Sequence, residues 1–538
     1  MPADVIVTNA NIYTMDPARP RAAALAVRGG KFLAVGSAEE MAALRGPQTR
    51  LIDLAGQPVL PGLCDAHIHF SWYALSLQTI DLIEVPSLAE LKRRLAAGAG
   101  QTAPGQWLEG RGWNQALWPD GRFPTRHDLD EVAPHHPVFL MHKSGHAAVV
   151  NSLALARAGV DEATPDPPGS ELARDPAGAL TGLLLEAPAI DLVRNAIEAP
   201  DEATLDEAVL QAQAIVQRMG VTAVHDLDGR RSFGAFQRLR QRDQLRLRAV
   251  SHVAMDELDH ALGVGLRPGL GDGWLRTGGL KLFADGALGP RTASMLAPYE
   301  DEPDNYGIVV TDKEDMLEMA VRASLGGLPT VIHAIGDRAN HDVLDVFAEV
   351  RRQEAERGVD RPARRHRIEH VQVLAPDDLH RLAELDVVAS MQPIHATQDM
   401  DMVDAHWGRR GRLSYAWRSL AESGVRLAFG SDAPVESPNP FIGIHAAVTR
   451  RRADGSPGPE GWYPEQRLTV AEAVEAYTMG AAYAEGLEEA MGSISPGKYA
   501  DFIVPDRNIF TCDPMEIKDT SVLVTVVGGE VVYGTAIA

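Results

Sequence analysis

The feature that most constrains this chain is an alternation. Eight short β-prone runs, VLPGLCDAHIH (59 to 69), VTAVHDL (221 to 227), RLRAVSHV (246 to 253), GGLKLFADG (278 to 286), PTVIHAIG (329 to 336), HRIEHVQV (366 to 373), VVASMQP (387 to 393) and RLAFGSDAP (426 to 434), are interleaved with helical stretches such as LDEAVLQAQAIVQRMG and DMLEMAVRASLGG. Strands that alternate with helices assemble into parallel sheets, because each crossover returns the chain to the same end. No Gly-rich phosphate loop follows the first run. Eight units therefore fit an α/β fold of the closed (β/α)8 TIM-barrel type better than an open doubly wound sheet.

Two departures from the alternation divide the chain. About 150 residues separate the first run from the second, far more than one connecting helix needs, so a large insertion subdomain is expected after strand 1, over residues 73–205. Loops after barrel strands lie on the catalytic face, which places this insertion over the site. At the two ends, Gly29-Gly30 and Gly528-Gly529 each stand between β-prone runs. A Gly-Gly pair there signals a hairpin, and two hairpins are marginal alone. Residues 1–60 and 485–538 are thus expected to form one small β-sandwich domain, leaving 61–484 for the barrel.

Composition decides which chemistries remain. With 51 Lys+Arg against 74 Asp+Glu, the formal charge of −23 argues against a nucleic-acid partner. The first sixteen residues lack a basic region followed by an apolar core, and no run approaches the roughly 18 apolar residues that cross a bilayer. No membrane partner and a cytoplasmic location are the expectations; a homodimer is allowed but not required. Cys64 and Cys512 are the only cysteines, against 18 histidines. Metal chemistry would therefore rest on imidazole and carboxylate.

Such groups fall at the ends of the predicted strands. His67 and His69 are two apart on one strand and so point to the same side. His333, His370 and Asp432 each end another run, at the barrel rim where this fold places catalytic groups. Each alone reads equally well as a hydrogen-bonded strand end. Together, five such residues suit a divalent metal site. Lys281 in GGLKLFADG is the odd member, since an ammonium is repelled by two divalent cations. The site then holds one metal, or the lysine reacts with carbon dioxide to a bridging carbamate. Pairing of Lys281 with Asp285, or a role in holding substrate, are the alternatives.

The motifs PGLCDAHIHF, GGLKLFADGALGPRTA, VIHAIGDRA, RIEHVQVL and FGSDAPV, with GRGWNQALW, SGHAAVVNSLAL and MGSISPGKYADFIVPDR, span nearly the whole chain. Their series resembles the metal-dependent amidohydrolase superfamily, and within it the amidohydrolase 3 branch that includes N-substituted formamide deformylases. The resemblance implies a binuclear centre of two divalent ions, zinc first, with manganese, nickel or iron(II) as alternatives. His67, His69 and Asp432 would hold the buried ion, His333 and His370 the exposed one, and carboxylated Lys281 would bridge them. The implied reaction is hydrolysis of a linear C–N bond in a small-molecule amide by a metal-activated hydroxide, with Asp432 as general base and then general acid.

Opening of a cyclic amide and deamination are the enzyme alternatives, and a catalytically inactive scaffold is the non-enzyme one. His146 and Trp113, both in the insertion, resemble family positions that reach over the metals as oxyanion donor or pocket wall; Trp113 also suits packing. Trp118 and Phe123 add apolar character there. Gln392, His395, Asp285 and Arg291 are substrate-contact candidates, each with loop hydrogen bonding as the alternative. Glu186, His225 and Cys64 read as structural residues.

Overall fold

The alternation becomes a parallel eight-stranded sheet in a computed structural model that describes residues 2–535. Its strands are β1 (Leu63–Ile68), β2 (Val221–Asp226), β3 (Arg248–Ala254), β4 (Leu275–Phe283), β5 (Thr330–Ala334), β6 (Arg367–His370), β7 (Val388–Met391) and β8 (Leu427–Phe429). Each pairs with its successor in sequence. Every residue of β1, β2, β5 and β6 is buried, as expected for parallel strands with helices outside and packed side chains within. Chain just beyond β8 closes the ring: Asp432 N donates to His67 O at 2.7 Å, and His69 N donates to Ala433 O at 2.9 Å. The Asp65 carboxylate seals this seam by accepting from Ser431 N, Ser431 Oγ and His67 N. A Cβ at Gly430 would collide with the His67 backbone and the Asp65 carboxylate, so only glycine allows the approach.

The first run, expected as one strand, serves two sheets. It divides at Gly62: Pro58–Pro61 pairs with Phe502–Pro505 and Asn11–Tyr13, whereas Leu63 onward belongs to the barrel. The first of those partners comes from the far end of the chain. Pro58–Pro61 thus sits within a six-stranded sheet built from both termini, facing a four-stranded sheet from the amino-terminal segment. Val7, Leu25, Val27 and Phe32 pack there with Phe502, Val504, Val524 and Val526. Both Gly-Gly pairs hold positive φ, as tight hairpins require. The two turns are laced through Ala500, whose N donates to Gly30 O and whose O accepts from Gly529 N, both at 2.9 Å.

Between β1 and β2 the insertion forms a mixed six-stranded sheet, with Ala147–Val150 at its centre between Leu180–Leu185 and Val138–His142. Period-2 alternation divides its two faces. Val138 and Leu140 join a cluster with Trp113 and Trp118, whereas Phe139 and Met141 pack with Leu184 and Ile190. The chain re-enters the barrel through the helix Glu202–Arg218, started by Asp201, whose side chain accepts from Thr204 N.

Candidate metal centre

The barrel rim gathers the strand-end histidines into one cluster. Ring centroids lie 5.6 Å apart for His67 and His69, 4.8 Å for His67 and His370, and 4.5 Å for His333 and His370. Ligand-capable atoms of His67, His370 and Asp432 fall within 4.8 Å of one another, and all three residues are buried. Asp432 Oδ1 is 3.2 Å from His67 Nε2 and 3.4 Å from His69 Nε2. Burial alone would raise the Asp432 carboxyl, but the surrounding imidazoles hold it well below the carboxylate range.

Each ring is tethered by one nitrogen. His67 Nδ1 donates to Glu369 Oε2 at 2.5 Å, His69 Nδ1 to Asp228 Oδ1 at 2.8 Å, His370 Nδ1 to Gln392 Oε1 at 2.8 Å, and His333 Nε2 to Gly286 O at 3.0 Å. An acceptor fixes the tautomer by taking the only proton of a neutral imidazole, which leaves the second nitrogen with a bare lone pair. This pattern, an N–H anchored outside and a lone pair free inside, is how proteins orient metal-ligating histidines. His67 Nε2 and Lys281 Nζ, both buried, have no hydrogen-bond partner among the described residues. Burial lowers the Lys281 pKa to about 8, against the pull of Glu369 and Asp432. An unpartnered lone pair is costly in a barrel interior, and a cation bound at His67 Nε2 removes that cost, whereas Lys281 can serve such a cation only after losing its proton. The donor set of imidazole and carboxylate fits a divalent ion.

The remaining candidates divide by location. His395 Nε2 donates to Asp432 Oδ2 at 3.2 Å, and His146 lies with its ring 6.0 Å from that of His333. Both belong to the centre. Gln392 is present as the tether of His370. Asp285 is buried behind His333, accepting from Ser294 N, Ile335 N and Gly336 N. Arg291 turns instead to Asp301 and Glu302 and holds its own loop. Trp113 is fully buried in the insertion core, Nε1 donating to Leu140 O at 2.9 Å. Phe123 packs edge-on against it. His225 accepts from Arg367 Nη1 at 3.1 Å inside the barrel and contacts Cys64.

Glu369 and Asp228, the tethers of His67 and His69, are the positions at this site that sequence reasoning missed. Glu369 and Arg367 are completely buried and paired with each other, and Arg367 continues to Glu485. A signal existed, since two charges two apart on one short strand must face the same interior. A cleft of about 1480 Å³ lies between insertion and barrel, lined in part by Trp72, Asp228, Arg111 and Arg194. It adjoins the centre on the Asp228 side of His69.

The sequence matches the Amidohydrolase family over residues 50–533. The chain belongs to the amidohydrolase family. This amidohydrolase is 36% identical to Protein LONG AFTER FAR-RED 3 of Arabidopsis thaliana, over 99% of this chain and 92% of that one. It is 30% identical to the N-substituted formamide deformylase of Arthrobacter pascens, over 98% of each. Its fold superposes with a TM-score of 0.77 on an uncharacterized metal-dependent hydrolase from Pyrococcus horikoshii OT3, at 28% identity, covering 95% of this chain and 99% of that one. No helix among the described residues of the amidohydrolase is long and apolar enough to cross a membrane.

Proposed function

We propose that the protein is a metal-dependent hydrolase of linear C–N bonds, converting an N-formyl or N-acyl amide into a carboxylate and an amine. The observation that carries this reading is the set of four tethered imidazoles whose free nitrogens share one rim with Asp432 and the unpartnered Lys281. The likeness to an N-substituted formamide deformylase supports the substrate class. In this reading His67, His69 and Asp432 hold one divalent ion, and His333 and His370 hold a second. With its pKa pushed down to about 8, Lys281 has an appreciable neutral fraction. That amine could add to carbon dioxide with loss of a proton, and the resulting carbamate would offer anionic oxygen ligands to the divalent ions.

Divalent ions held by these residues would supply Lewis-acid chemistry, lowering the pKa of water to about 7. The protein's own part is proton transfer and orientation. Asp432, steadied by His395, takes the proton of the attacking water and returns it to the departing amine. His146 presents Nε2 on the His333 side, where negative charge develops on the carbonyl oxygen. Glu186 raises the pKa of His146 above its ordinary value even though burial opposes it, which favours the doubly protonated ring that such donation needs.

Elemental analysis should find about two divalent ions per chain. A panel of N-substituted formamides, N-acyl amino acids and cyclic imides, assayed with zinc or manganese, should release amine from a linear member. Full activity in metal-free protein, or turnover of cyclic imides alone, would overturn the proposal.

A further inference from the structure

Glu186 breaks three local rules at once. It occupies the N-cap of the helix Ala187–Arg194, where a carboxylate ordinarily accepts from the first free backbone N–H groups, yet its side chain makes no such bond. Its backbone lies at φ 66 and ψ 158, a conformation that is essentially confined to glycine. Its Oε1 has no hydrogen-bond partner among the described residues, although the side chain is only 4% exposed and so shielded from water. Capping, backbone preference and solvation would each place another residue there. Strain of this kind persists only where the surroundings impose it.

What they impose is a bond to His146. Residues Ala147 and Leu185 face each other on adjacent antiparallel strands, and His146 and Glu186 are the next pair along. They are joined twice: Glu186 N donates to His146 O at 2.9 Å, and His146 Nδ1 donates to Glu186 Oε2 at 2.8 Å. The unusual φ turns the carboxylate away from the helix and beneath the imidazole. Glu186 Oε1 then rests against Gly286, where a Cβ would come within 2.9 Å of it. Gly286 O is the acceptor that tethers His333. The pair from the insertion and the tether of a barrel histidine are thus packed as one unit.

We propose that Glu186 is the positioning residue of His146, fixing its ring so that Nε2 faces the open side of the metal centre. The assignment rests on the reading of His146 as a group that acts on substrate. Because glycine suits the Glu186 backbone, Glu186→Gly removes the carboxylate without straining the fold, and its thermal midpoint should equal or exceed that of the parent. Its kcat should fall about 10- to 100-fold, the usual effect of losing an orienting partner, with KM and metal content unchanged. Glu186→Gln keeps an acceptor for Nδ1–H and should retain the larger part of kcat. In a His146→Ala background, Glu186→Gly should cause no further loss, since its effect passes through the missing ring.

An equal loss of kcat in both backgrounds would overturn the proposal. Crystal structures of parent and Glu186→Gly decide the orientation independently of activity: the His146 ring should swing from its place, and an unmoved ring overturns the role. If the parent hydrolyses none of the amides, the hydrolase reading fails while this structural comparison still stands.

Discussion

Asp432 holds φ 60 and His370 φ 75, positive values that side-chain-bearing residues rarely adopt. Two such residues in one centre indicate that geometry there is imposed by the surrounding bonds. For Asp432 these are its backbone bond to His67 and its side-chain bond from His395. Asp432→Asn preserves shape and should keep the melting temperature of the metal-free protein, while kcat falls about 10²- to 10⁴-fold through loss of the proton carrier. Steady-state kinetics and calorimetry on one preparation separate the two effects. Lys281→Ala should lose bound metal and activity together, with partial rescue by acetate or propionate; unaltered metal content rejects the bridging role. Strand-end histidines were legible because position on a strand determines where a side chain points. Asp228 was not, since 74 acidic residues offer no local mark that distinguishes this tether, and Glu369 showed only through its spacing from Arg367 on one short strand. Arg291 lies in a motif with two neighbouring groups, and only the folded loop shows that Asp301 and Glu302 claim it.

At the scale of elements, period and turn chemistry read well, and boundaries read less well. All eight runs overlap barrel strands, and both Gly-Gly turns are present. The division of the first run at Gly62 was invisible, because both halves are equally apolar and only their partners differ. Helix packing also hides a buried polar cluster. Glu354, on the helix Asp337–Glu356, accepts from His366 Nε2 at 2.9 Å and from Arg351 Nη1 at 2.8 Å, and Ser324 Oγ bonds it as well. Burial would raise its carboxyl, but these partners hold it down to about 2, against an ordinary 4.5. The folded group therefore titrates below the unfolded one. Its stabilisation is whole above the ordinary value and is lost as pH falls through about 2. Glu354→Gln should destabilise by about 3 kcal/mol at neutral pH, with the difference from the parent shrinking across that acid window. Urea midpoints at several pH values measure this, and a pH-independent difference would contradict it.

The whole molecule couples a barrel to two appendages, and the centre lies where barrel and insertion meet. Metal that binds only the folded chain adds its binding free energy to stability, about 4 kcal/mol at a thousandfold excess over Kd. Chelation should therefore lower the melting temperature by several degrees, with recovery on adding zinc or manganese; an unchanged midpoint would place the metal elsewhere. The net charge of −23, prominent in the sequence, says little about this chemistry, since the centre uses a handful of buried carboxylates.

The strand Pro58–Pro61 is followed after one residue by the strand that leads to His67 and His69, yet its neighbour Phe502–Pro505 lies far along the chain, beyond every barrel strand. During synthesis Pro58–Pro61, which leads directly into the barrel's first strand, keeps one sheet edge open until that distant segment arrives. An unpaired edge of that kind invites association with other chains. Deleting Phe502–Pro505 would thus leave His67 and His69 in the polypeptide while removing the strand clamped beside the run that carries them, so their placement depends on a segment remote from them in the chain.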